Sequence, residues 1–195
     1  MSAPEYAASF AVGVVIAIVV FLAFSTYNSV IALQRRIDKA WANIDVVLKQ
    51  RHDQLPALVS AVRGLMAYEQ DVLVAVTRAR AAYSPADPIP AQAETAEATS
   101  AAVRSLFGVV ERYPDIKAAG NVAALQDEIE RLEAMIADRR ELYNDQVYRY
   151  DTKIAQLPAN ALAAILGWRP REYFRAEPDA TARPDVSLDT TGDRG

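Results

Sequence analysis

The chain has no cysteine and a single histidine, His52, among its 195 residues. Disulfides and thiolate chemistry are thereby excluded, and the usual zinc, haem and Ser-His-Asp arrangements lose the residues they require. Seven glycines are too few for a turn-rich β protein. Basic charge is short as well: 21 Lys and Arg stand against 25 Asp and Glu, a net charge of −4. A phosphate backbone demands a basic field, so nucleic acid is not expected as a partner. No phosphate-cradling loop or nucleophile–base pair stands out. The chain therefore reads as a non-enzyme, with no catalytic residue, metal ligand, cofactor or small-molecule substrate expected.

What is plentiful is apolar sequence, 52% of the chain, enough for one domain with a real core. No charged residue occurs from Tyr6 to Gln34, and AASFAVGVVIAIVVFLAF within that run is long enough to cross a hydrocarbon layer of roughly 30 Å. Residues 7–27 are read as a transmembrane helix behind a short external N-terminus, 1–6. A cleaved signal peptide, cut near Ala23 and Ser25, is the competing reading; against it, no Lys or Arg precedes the run and the helical pattern continues past it. Arg35, Arg36 and Lys39 follow the span, which puts the N-terminus outside and the remaining chain in the cytoplasm.

Apolar residues then recur at helical spacing in four stripes. The first runs through Val30, Leu33, Ile37, Trp41, Ile44 and Leu48, the second through Leu55, Leu58, Val62, Leu73 and Val76. After the proline-rich YSPADPIPAQ, a third passes through Val103, Leu106, Phe107 and Val110. Pro114 and Gly120 break the pattern, with Asn121 as the next N-cap. The fourth repeats every seven residues at Val122, Ile129, Ile136, Tyr143, Tyr150 and Leu157, the spacing of a bundle seam.

Pro56 interrupts the first two stripes. Inside a helix it costs about 3 kcal/mol, whereas in a first turn its missing N–H has no partner to lose. With Asp53 as N-cap, a turn at Arg51–Leu55 is favoured over one kinked helix. The expected fold is all-α: a single transmembrane helix followed by an antiparallel up-down four-helix bundle over 28–168, with helices at 28–52, 54–82, 92–112 and 121–156 and a short one at 159–167. The segment 169–195 is read as a mostly disordered extension.

YNSVIALQRRIDKAWANIDVVLKQRHDQLPALV, YEQDVLVAVTRARA, LFGVVERYPDIKA, RRELYNDQVYRYD, LPANALAAILGW and EYF occur in this order from Tyr27 to Phe174. Together they resemble the LemA family of bacterial membrane proteins. The resemblance implies one N-terminal span in the inner membrane, a helical-bundle domain and, through relatives linked to magnetosome membranes, a part in membrane organisation.

Two charges interrupt the stripes, Glu69 in the second and Arg139 in the fourth. Each is costly if buried alone, so Glu69 is expected to pair with Arg139 or with neighbouring Arg140, or else a small rotation exposes them. Asp38 and Asp45 lie about 10 Å apart on a helix, too far to share an ion, and read as solvated; His52 reads as exposed at the turn. Tyr143, Tyr148 and Tyr150 read as core and edge packing. An up-down arrangement returns the end of the fourth helix to the bilayer. Trp168, Arg169, Arg171, Tyr173, Phe174 and Arg175 are then candidate contacts with the membrane interface, unless they close the base of the bundle. The function expected is a membrane-anchored scaffold or interaction module whose partners are the bilayer, other proteins or copies of itself. The alternative is an adaptor subunit of a membrane protease, transporter or signalling complex.

Overall fold

The computed structural model describes residues 3–63, 70–117 and 119–175, and all regular structure among them is helical. The uncharged leader does not end where the apolar run ends. It continues as α1 (Ala3–Arg63), one helix of 61 residues. Phe10, Phe21, Phe24 and the Val, Ile and Leu residues between them are exposed, whereas Thr26, Val30, Ile37, Ile44 and Leu48 are buried. The same helix thus changes from a bare apolar rod to a one-sided stripe at about residue 25.

The expected turn at Arg51–Leu55 is absent, and Pro56 lies inside α1. The physical reason is visible one turn back. Proline has no N–H to give the carbonyl of His52, and that carbonyl instead accepts the Nε of Arg80 at 3.3 Å. Leu55 and Leu58 on either side are fully buried, so packing also resists a break. The helix expected over 54–82 is divided between the far end of α1 and a separate α2 (Gln70–Ala81). The two run antiparallel, since His52 meets Arg80 and Asp45 meets Tyr83.

The proline-rich loop is drawn together by Gln92, whose Nε2 donates to the carbonyls of Asp87 at 2.8 Å and Pro85 at 3.3 Å. It leads into α3 (Ile89–Val110), which carries proline in its first turn, where the missing donor costs little. A short α4 (Pro114–Lys117) precedes α5 (Gly120–Ala155), whose N-cap is Ala119, with no side-chain cap, rather than Asn121. The last helix among the described residues is α6 (Ala159–Leu166).

The long antiparallel pair α1 and α5 organises the domain. Gln34 meets Tyr150, Trp41 meets Tyr143 and Arg51 meets Glu133, each step up one helix matched by an equal step down the other. Two apolar clusters form along this pair. One, nearer the bare segment, joins Val30, Ile44, Leu132, Tyr143, Tyr150 and Phe174; the other joins Leu58 and Val62 of α1 to Val76, Leu106, Val122 and Ile129. The fold is all-α with one long apolar N-terminal helix; among the described residues, α2 is 12 residues long against 61 in α1 and 36 in α5.

Candidate functional site

Arg51 stands between the two apolar clusters and is 3% exposed. A guanidinium taken out of water must recover its hydrogen bonds from protein, and this one does. Its Nη1 donates to Glu133 Oε1 at 2.6 Å and to Ser100 Oγ at 2.8 Å, and its Nη2 to the carbonyl of Ala96 at 3.2 Å. The Ser100 hydroxyl lies 2.6 Å from Glu133 Oε2, closing the triangle. One polar layer thus ties α1, α3 and α5 together, and a charge so placed specifies register better than it adds stability. The signal was in the sequence: Ile37, Ile44, Arg51 and Leu58 are seven apart. The assumed turn at Arg51 removed that residue from its stripe.

Beside this layer lies a corner formed by α1 and α2. The Tyr83 hydroxyl donates to Asp45 Oδ1 at 3.2 Å, so Asp45 is not merely solvated. Burial and the Asp45 carboxylate push the Tyr83 hydroxyl up to about 12. The His52 ring sits 5.2 Å from that of Tyr83, half-buried rather than exposed as expected, with Nδ1 lacking a hydrogen-bond partner. Burial and then the charge of Arg80 hold its pKa below 6.5, against a smaller opposing effect of Asp53.

The charge pair expected of Glu69 falls outside the described residues. Arg140 lies 3.7 Å from Glu97 of α3, and the Nε of Arg139 is buried without a hydrogen-bond partner. Glu97 also lies 3.4 Å from Arg104. Glu97, Arg104 and Arg140, with Ser100, Glu133 and Arg175, line a polar cleft of about 260 Å³ between α3 and α5.

At the base, Gly167 takes φ 70°, a left-handed conformation that glycine adopts without a Cβ penalty, and the Trp168 N–H closes the end of α6 on the Ala163 carbonyl. The chain reverses there and returns as a strap along α5. Arg171 N–H donates to Asp151, Tyr143 hydroxyl to the Glu172 carbonyl, and Asn144 binds the backbone of Phe174 through both its amide N and O. Phe174 is consequently buried against Trp41, 5.7 Å between rings, and is not a contact for lipid headgroups. Its burial follows from the strap running away from the bare segment. Tyr173 is partly buried beneath the Arg175 guanidinium, and Arg169 and Arg171 are exposed. Trp168, one of the six expected interface residues, packs against the edge of the apolar segment, its ring 6.0 Å from that of Tyr27. Tyr143 and Tyr150 are buried and Tyr148 is exposed; burial pushes the Tyr143 hydroxyl up to about 12.

Comparison with known proteins places these features in a family. Residues 40–188 match the LemA family. A stretch of 77 residues, 40% of this chain, is 36% identical to Magnetosome protein MamQ 2 and to Magnetosome protein MamQ 1 of Paramagnetospirillum magneticum. The same length is 31% identical to Magnetosome protein MamQ of Magnetospirillum gryphiswaldense. In each case the match spans 28% of the relative's length. The family match, which reaches across the buried arginine layer, α5 and the strap, makes this chain a member of the LemA family.

Proposed function

We propose that this chain is a non-enzymatic scaffold, anchored in the bacterial inner membrane by α1. Its helical domain binds protein partners or further copies of itself at the cytoplasmic surface. The observation that carries this reading is the continuity of α1: the bare apolar stretch and the buried stripe of the domain are one helix, long and apolar enough to cross a membrane. Arg35, Arg36 and Lys39 beyond the span, with no Lys or Arg before it, support the cytoplasmic side. The alignment with magnetosome proteins supports a part in organising a membrane-bound cellular structure.

Crosslinking of the full chain in living cells, read by mass spectrometry, tests the proposal. Crosslinks from the faces of α2 and α5 to the same residues in another copy, or to several proteins, support the scaffold. A single protease or transporter recovered in constant proportion replaces it with the adaptor reading. Digestion of the domain by protease added to intact spheroplasts overturns the orientation.

A further inference from the structure

The geometry points to α6 as a second membrane contact: its outward apolar side chains, with Trp168, rest in the headgroup layer of the bilayer that α1 crosses. This rests on the anchored reading above and adds to it a lipid-facing surface on the domain itself.

The first observation is exposure without a protein partner. Leu157, just before α6, and Ile165 and Leu166 in its last turn are 81%, 79% and 48% exposed, while Ala159 and Ala163 pack into the domain. A short helix of this composition is stable in contact with water only at the cost of its apolar face. The second is height. α5 pairs Tyr150 with Gln34, so five residues further on its end at Ala155 stands level with Ser29. α6 follows directly, and its last turn brings Trp168 onto Tyr27. Residues 7–27 extend roughly 30 Å at 1.5 Å per residue, the thickness of the hydrocarbon layer, which puts Tyr27 at its boundary. The patch on α6 therefore begins where the bare segment of α1 ends, and the two apolar surfaces are continuous through the Tyr27–Trp168 contact.

The third observation is the chemistry around the patch. Trp and Tyr favour the boundary between acyl chains and headgroups, where an apolar ring and a polar edge are both satisfied. Arg169 beside Trp168 supplies exposed positive charge next to the patch, and Arg35 and Arg36 supply more about two turns past Tyr27. Anionic headgroups attract such charge at short range. A bilayer is thus the occupant that matches position, apolarity and charge together.

The absence of cysteine allows a direct test on the full chain. Single substitutions Ile165→Cys, Ile18→Cys and Val74→Cys, each at an exposed position, are labelled with a fluorophore. The proteins are reconstituted into phosphatidylethanolamine–phosphatidylglycerol vesicles containing a lipid-borne quencher. The label at 165 is expected to be quenched several-fold more than that at 74, approaching that at 18. Strong quenching at 18 with none at 165 leaves the anchor standing and overturns the contact of α6. Loss of quenching at both positions overturns the anchor and, with it, this inference. Shielding of 165 from a water-soluble quencher without lipid quenching shows that protein covers α6, which also overturns it.

Discussion

The Nε of Arg80 sits 3.3 Å from the carbonyl oxygen of His52, the oxygen that Pro56 leaves without a helical donor. A side chain on α2 therefore repairs the backbone of α1. Removing it leaves a half-buried carbonyl unpaired, so Arg80→Ala is expected to destabilise by about 1–2 kcal/mol. Pro56→Ala restores the local N–H donor. In that background the same Arg80→Ala change should cost about 1 kcal/mol less, measured by denaturant unfolding of the four proteins of the cycle in detergent. Additive effects refute the repair.

The Arg51 layer predicts an asymmetry. Arg51→Ala strands Glu133 and loses about 3–5 kcal/mol, whereas Arg51→Met combined with Glu133→Leu, which removes both charges, recovers most of that loss. Ser100→Ala should cost about 1 kcal/mol, because both of its charged partners keep each other. Thermal unfolding of these variants decides the point. A double substitution no more stable than Arg51→Ala argues that the layer is needed for folding itself.

His52 gives the domain a stability that falls in acid. Its folded-state pKa lies below 6.5, so just below that pH the unfolded chain binds the extra proton and the folded chain does not. Stability should decline as pH drops through 6.5 and flatten once the folded state also takes up the proton. His52→Gln should remove that part of the slope, read from denaturant midpoints across the acid range.

Tyr83 acts at the other end of the scale. Its hydroxyl keeps its proton up to about 12 when folded, against 10.0 for an unperturbed phenol, so stability is lost as pH rises above 10.0. Tyr83→Phe should reduce that alkaline loss, with ultraviolet titration of the phenols as the check.

Gly167 turns α6 into the strap. Its φ of 70° penalises any Cβ, and Gly167→Ala should cost about 1 kcal/mol. The damage should be local: faster proteolysis between Trp168 and Arg175 with little change around Arg51.

The sequence carried the parts of this fold that depend on local periodicity. The seven-residue repeat from Val122 to Tyr150 marks α5, and Pro85 and Pro88 mark the loop before α3. Pro56 misled because its cost is met by Arg80, 24 residues further along the chain and on another helix, which no local pattern reveals. Arg51 was hidden by the same misplacement. The aromatic and arginine cluster near the C-terminus reads either as a membrane contact or as the closure of the base of the bundle, and the reversal at Gly167 divides it: Trp168 stays beside Tyr27, and Phe174 is carried back to Trp41. Composition gives no hint of such a reversal; only the fold of the strap does.

Because the bare apolar stretch and the buried stripe of the domain belong to one helix, the anchored reading leaves no joint between span and domain at the bilayer surface. From Tyr27 to Arg63 the rod extends roughly 54 Å, so a change of about 10° in its tilt swings the tip by about 9 Å. On the anchored reading, a tilt imposed by hydrophobic mismatch would be passed on to the position of α2, with α5 paired along the lever.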